Sequence, residues 1–464
     1  MTNRVILSAL VAAGLTASPA AAKQGPLAQA VGASDDWQIS ASLRVRLDGI
    51  DNQFRPTGPD ADSMISLRTD VLAEYDAGPV RIGGEVQDGR AYMQASNSTA
   101  ATGEVNALEP VQAFVRFELG DSGTGAFGKG AKGGHGLVTL GRFTMDIGSR
   151  RLVARNRFRN TTNAFTGVQA DWTTANGARL IGFWTMPQVR LPDAAADIAD
   201  NKVRFDRESA DLQFAGADAT LPGVLGGSVE AYVFHVFERD RPDLATRNRR
   251  LWTAGARLFA KPAAGKLDHD LEAIWQFGKA RRSTGAADLT DLDVSAWLVH
   301  AEAGYTLTGG WTPRLSAVFD AASGDSGRAG HYRRFDTLFG ARRSEFGPTS
   351  LYGALGRANL VSPGLRIEAV PSKRLDLMAM ARAAWAENVR DAFASTAVKD
   401  ASGASGRFAG YQIEGRIRYW LVPGLLQADT GAALLVKRRL LRDAPNARAN
   451  GNTAYGYVDL NLTL

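Results

Sequence analysis

Residues 37–48 read WQISASLRVRLD. Apolar side chains fall on Trp37, Ile39, Ala41, Leu43, Val45 and Leu47. Polar ones fall on Gln38, Ser40, Ser42, Arg44, Arg46 and Asp48. Successive side chains of a strand point to opposite faces, so a period of two predicts one strand with a dry face and a wet face. The run outlasts the about 5–6 residues usual in soluble strands and meets the roughly 9–11 needed to cross a bilayer as a strand.

The same alternation recurs along the chain. Ile65, Leu67, Val71, Ala73 and Tyr75 alternate with Ser66, Arg68, Asp70, Glu74 and Asp76, with Leu72 as the exception. Similar runs cover 111–119, 271–277, 297–306, 375–385 and 411–419, and Val458, Leu460, Leu462 and Leu464 alternate with Asp459 and Asn461 at the end. Glycine-rich or small-residue stretches separate them, at 121–136, 193–200, 321–330 and 394–406. Short breaks such as Ala77-Gly78-Pro79 and Thr308-Gly309-Gly310 suit tight turns. Long connections alternating with short ones predict an all-β fold: a transmembrane antiparallel up-and-down β-barrel over 36–464. About 430 residues at ~24 per strand and connection give roughly 18 strands. Aromatic residues near run ends (Trp37, Tyr75, Trp172, Trp385, Tyr419) fit interfacial girdles.

Composition narrows the classes further. The 464 residues contain no Cys, which excludes disulfide frameworks, thiolate metal sites and a cysteine nucleophile. Beyond the N-terminal segment, no apolar run approaches the 18 or so residues of a membrane-spanning helix. Residues 1–22 read as a signal peptide. Arg4 supplies the charge, Val5 to Leu15 the short apolar core, and Ala20 and Ala22 the small residues before a cleavage point at Lys23. Residues 23–35 are then expected as a short periplasmic segment, too short for a plug domain, and the bacterial outer membrane as the destination. A barrel of this size is expected to leave a water channel.

The face opposite the apolar one carries charge of both signs. Arg44, Arg46, Arg68, Arg81, Arg116, Arg257, Arg314, Arg366, Arg382, Arg416 and Arg418 share it with Asp48, Asp70, Glu74, Glu85, Glu118, Glu272, Glu302, Asp320, Glu368, Asp376, Glu414 and Asp429. Guanidinium binds carboxylate through two parallel bonds, so most of these arginines are expected in ion-pair ladders along the wall. Any surplus can line an anion path. The formal net charge of +6 agrees with anionic partners. Two segments are denser in arginine. Residues 141–172 include Arg142, Arg150, Arg151, Arg155, Arg157 and Arg159 with one nearby acid, Asp146. Residues 331–347 include Arg333, Arg334, Arg342 and Arg343. The first is expected as a basic strand and loop at the pore, the second as a long loop able to fold inward.

These two blocks carry a family resemblance. Gly141-Arg142, Arg151-Leu152-Val153, Asn160-Thr161 and Phe165-Thr166-Gly167-Val168 resemble the signature of the alginate export family of outer-membrane porins. So do the later Ala322-Ser323-Gly324-Asp325, Phe335-Asp336-Thr337-Leu338-Phe339, Phe346-Gly347, Asn359-Leu360 and Pro371-Ser372-Lys373. Thr166 replaces the family's usual acid, and Asn163 stands where a basic residue is common. The resemblance implies an 18-stranded monomeric barrel with an electropositive constriction that passes a polyuronate. It points to Arg142, Arg151, Arg155 and Asn160 as pore or substrate-binding residues, and next to Arg334, Asp336, Arg342 and Arg366. Expected partners are an anionic polysaccharide or small anions, outer-membrane lipid, and periplasmic export or scaffold proteins. The alternatives are a general anion-favouring diffusion porin and a structural barrel with a blocked lumen.

Catalysis finds no support. The five His (His135, His235, His269, His300 and His331) fall in no G-x-S-x-G elbow and no H-E-x-x-H motif. Asp268-His269-Asp270 alone is too weak for a metal site and suits a turn or periplasmic end. Gly128 to Gly136 lacks the strand–loop–helix context of a phosphate loop. No cofactor, metal or nucleic acid is expected.

Overall fold

A computed structural model describes residues 25–120, 134–341 and 343–464. The expected signal segment 1–22, most of the glycine-rich stretch 121–136 and Arg342 lie outside the described residues. Helix α1 (Pro26–Ala30) precedes β1 (Trp37–Asp51). Of the 19 strands in the sheet, β14 is the two-residue His331–Tyr332, which pairs in parallel with β12 (Leu292–Thr306). The other 18 form one closed antiparallel barrel. Each strand pairs with its sequence neighbours, and β1 closes on β19 (Thr453–Thr463) with Val45 opposite Leu460 and Arg46 opposite Asp459.

The faces sort as the alternation predicts. Leu47 is 50% exposed on the outer surface, whereas Arg46 is 2% exposed inside. Except between Gly120 and His135, short turns join the strands at one end, as between β2 (Asp62–Asp76) and β3 (Val80–Tyr92), or β8 (Leu212–Val224) and β9 (Gly227–Glu238). Both chain ends of the barrel, Trp37 and Thr463, lie at this turn end. Long loops cover the opposite end. Trp37 packs at a tilt against Tyr75 at the turn end (5.2 Å between ring centroids), and Trp385 against Phe408 at the loop end (5.1 Å). Tyr and Trp rings are stable at a hydrocarbon–water boundary because one side of the ring is apolar and the other wet.

Two loops fold into the bore. One, 144–164, follows β5 (His135–Phe143). The other, 323–359, follows β13 (Arg314–Ala322). They are the two arginine-dense segments, and they join each other inside. Ala154 N–H donates to the Phe339 carbonyl (3.1 Å), Phe339 N–H to Leu152 (2.9 Å), and Ala341 N–H to Arg150 (3.0 Å). At the crossing a Cβ on Gly340 would collide with the Arg151 carbonyl, so only glycine lets the two backbones approach. The loops bury apolar residues against the loop-end half of the wall. Phe143, Phe165, Phe183, Phe214, Phe234 and Phe335 belong to one cluster. Phe54, Phe346, Tyr352, Phe393, Tyr455 and Tyr457 belong to a second, on the other side of the barrel. The bore is therefore occupied by ordered loops in its loop-end half.

Because Val45 lies near the middle of β1 on the outer face, Val45→Arg is expected to cost about 2–4 kcal/mol of unfolding free energy in lipid vesicles. Ser40→Arg, on the inner face near the turn end, is expected to stay within about 0.5 kcal/mol. Reversible urea unfolding monitored by tryptophan fluorescence measures both.

Candidate functional site

Toward the turn end the inner wall is a lattice of ion pairs. Arg81 pairs with Glu118 (2.7 Å) and Arg116 with Glu74 (3.2 Å). Arg257 pairs with Asp270 (2.6 Å) and Arg418 with Asp429 (3.0 Å). Arg314 meets Asp268, Glu302 (2.7 Å) and Glu368 (2.9 Å). Alternation places these side chains inside, and cross-strand register places the opposite charges within reach.

The expected site residues take distinct places around the inward loops. Arg151 is buried and meets three carboxylates: Asp270 (3.1 Å) and Glu272 on β11 (Leu267–Ala280), and Glu345 of the second loop. Glu345 also receives Arg357 Nε (2.8 Å), while Arg357 Nη1 donates to the Arg151 carbonyl (2.9 Å). Arg151 thus ties both loops to the wall. Arg155 pairs with Glu85 of β3 (Nη1 to Oε2, 2.7 Å). Asn160 Nδ2 donates to the carbonyls of Leu67 (2.9 Å), Arg90 (3.0 Å) and Glu104 (2.8 Å), and its Oδ1 accepts from Arg44 (3.0 Å). It fastens the end of the first loop to β1, β2 and β3. Arg142 pairs with Glu109 (2.7 Å) of β4 (Asn106–Gly120) and with Glu208 (3.7 Å). Arg366, on the wall strand β15 (Leu360–Ser372), reaches Glu302 (3.4 Å). Arg334 pairs with Asp391 (2.7 Å), and Asp336 accepts from Arg249 (2.8 Å) and Arg247 (3.5 Å).

Arg334 and Asp336 line a recess of about 600 Å³ on the loop side of the crossing. Arg159, Arg190, Arg247 and Arg357 line it as well, and Asp336 is the one carboxylate in its lining. Arg247, Arg334 and Arg357 each have a carboxylate partner. Among the described residues, Arg159 and Arg190 form no ion pair. Arg190 donates instead to the Thr162 carbonyl (3.3 Å) and to Asn163 Oδ1 (2.7 Å). Enclosure by the loops first, and the neighbouring Arg159 second, lower the Arg190 guanidinium to about 10. The recess is therefore a half-enclosed pocket whose excess charge is positive. Arg159 is legible in the sequence only as part of the dense run, and Arg190 lies in the loop 188–211 with no other basic residue within ten positions of it and no pattern around it. Arg142, Arg151, Arg155, Asn160 and Arg366 are absent from the recess lining, and Arg342 lies outside the described residues.

A profile described as alginate export matches residues 36–454. No curated protein matches the chain. Solved barrels from Pseudomonas aeruginosa share the architecture. The outer membrane protein opdK has a TM-score of 0.55 at 13% identity, covering 92% of this chain and 99% of its own. OccK8 (OprE) scores 0.56 at 12%, covering 93% and 98%. OpdQ scores 0.55 at 12%, covering 92% and 98%. At these identities the likeness is one of fold.

The loop 188–211 that brings Arg190 to the recess is latched to the wall through Asp206. Its N–H donates to Glu109 Oε2 (2.8 Å), and its Oδ1 accepts from Leu191 N–H (2.9 Å) and Asn106 Nδ2 (2.8 Å). Burial, and then Glu109, push the Asp206 carboxyl up to about 7. The docked loop therefore holds a proton that an undocked loop releases near pH 4, so docking is strongest in acid and weakens as pH rises toward about 7. Amide exchange across 188–211 is expected to be slower at pH 5 than at pH 8, corrected for intrinsic rates. Asp206→Asn is expected to remove most of that difference.

Proposed function

The chain belongs to the alginate export family, and we propose that this outer-membrane channel passes an anionic polysaccharide of the alginate-like polyuronate class, with Arg159 and Arg190 as its unneutralised contact charges. Family and fold are of a transport barrel in the bacterial outer membrane rather than of an enzyme. The observation that carries the reading is the recess with two arginines that lack carboxylate partners among residues that otherwise have them.

A polyuronate presents one carboxylate per sugar. Arg159 and Arg190 offer a pair of positive charges with no carboxylate in ion-pair contact, Asp206 and Glu104 acting on them only from farther off, and Arg247 and Arg334 sit beside them already shared with Asp336 and Asp391. A sugar carboxylate can displace a wall acid from a shared arginine and be displaced in turn. Each contact is then weak enough to release, which conduction requires. Arg142, Arg151, Arg155 and Asn160 support this route by fixing the loops that frame it. Arg366 belongs to the ion-paired wall below. The ordered loops in the bore also favour a second reading, a diffusion porin for small anions.

Single-channel recording in a planar bilayer with a salt gradient separates the readings. One-sided block of an anion-selective current by added polyuronate oligomers supports the polysaccharide route. Anion selectivity without block supports small anions, and no conductance supports a blocked lumen. Arg159→Ala with Arg190→Ala is expected to shift the anion-to-cation permeability ratio toward cations by about thirtyfold, from about 1 kcal/mol for each of the two water-screened charges. Reversal potentials measure the shift.

A further inference from the structure

A second concavity lies on the outside of the barrel. It is an apolar groove of about 740 Å³ that crosses β11, β12, β13, β15, β16 (Leu375–Trp385) and β17 (Phe408–Val422). Register explains its shape. Ala303 faces Ala317, Ala317 faces Leu365, Leu365 faces Ala381, and Ala381 faces Ile413. Alanine methyls make the floor, and Phe319, Leu365, Tyr411 and Ile413, each 40–69% exposed, stand as walls. The groove begins at Leu271, near the turn end of β11. It finishes at Tyr411, near the loop end of β17, so it runs through much of the hydrocarbon depth.

The loop end of the groove is basic. The Arg438 guanidinium lies 5.8 Å from the Tyr411 ring, and Phe408 packs edge-on against the same ring at 5.2 Å. Among the described residues, the Arg438 side chain donates only to the Lys437 carbonyl (3.4 Å). Arg407 donates to the carbonyls of Ala386 (2.9 Å) and Glu387, and Arg439 to that of Ala404 (2.9 Å). Among the described residues, none of Arg407, Arg438, Arg439 and Arg442 forms an ion pair, in contrast to the arginines of the inner wall. Cations that use only part of their donor capacity, set at headgroup height above an apolar trough, complement an amphiphile with anionic oxygens at one end and acyl chains at the other. A second barrel presenting the same face would bring like charges together.

We propose that this face binds one phosphate-bearing, acyl-chain lipid of the outer leaflet, with its chains in the groove and its phosphate on Arg438 and Arg407. Native mass spectrometry of the mature protein in detergent tests it, with diphosphorylated lipid A as the probe and its dephosphorylated form as the comparison. The unmodified protein is expected to retain the phosphorylated lipid and lose the dephosphorylated one. Arg407→Ala with Arg438→Ala is expected to cut retention about tenfold, the effect of losing one or two charge-assisted hydrogen bonds. Ala381→Trp, which fills the groove without touching a charge, is expected to do the same. Channel conductance of each variant verifies an intact barrel, since these side chains lie outside the lumen. Retention equal to that of the unmodified protein in either variant overturns the site, and so does equal retention of the dephosphorylated lipid.

Discussion

The structure depends on saturating every backbone N–H and C=O where no water can reach them. In hydrocarbon only a helix or a closed barrel meets that condition. Here the last strand returns to the first. Leu464 and Ala41 exchange both of their main-chain bonds (3.1 and 2.8 Å), and the register continues from Ser42–Thr463 to Asp51–Ala454. Closure removes the sheet edges and leaves two surfaces with different solvents. The outer one must be apolar across the membrane. The inner one is free to vary, so differences among the strands arise inside.

That freedom explains which parts of the fold were legible in the sequence. Strands β1 and β17 alternate cleanly, and β2 does so apart from Leu72, because their inner side chains, such as Arg46, Asp70 and Arg418, are charged and paired. The strands from β6 (Phe165–Thr173) to β9 do not. Their inner positions hold Phe165, Phe183, Phe214, Tyr232 and Phe234, whose rings pack on one another and on Phe339 of the second loop. Valine and tryptophan on the lipid side then meet phenylalanine on the lumen side, and the period of two disappears. The signal fails where the lumen is filled by protein rather than by water. Chain length still gave the strand total, because turn chemistry and bilayer thickness bound the length of each unit.

The site was legible to a different degree. Its arginine supply is local in sequence, and both dense segments do lie in the loops that enter the bore. What an arginine does there depends on carboxylates far away along the chain. Arg151 finds Asp270, Glu272 and Glu345, each more than a hundred residues distant. Such a buried group is held by partners that no spacing rule can locate. Removing Arg151 itself would leave buried carboxylates without their counter-charge, at a cost of about 3–5 kcal/mol. Arg190 shows the opposite case. It has no neighbouring pattern, and its importance comes from what is missing around it, a property that exists only once the loops are placed.

One residue type therefore serves three purposes, and the supply of counter-charge separates them. On the lower wall, Arg314 and Arg257 have two or more acids each and act as cross-links. At the loop crossing, Arg151 and Arg357 share Glu345 and join two segments that carry little regular structure of their own. In the recess Arg159 and Arg190, and around the rim Arg407 and Arg438, form no ion pair among the described residues and leave their charge available. A wall fully balanced in charge would be rigid but indifferent to its cargo, whereas one in deficit of acid throughout would hold a polyanion too tightly to release it. On the proposed route, an imbalance placed at one narrow level, above a neutralised wall, would give selectivity where the loops narrow the bore and let the anion leave over a surface that no longer holds it.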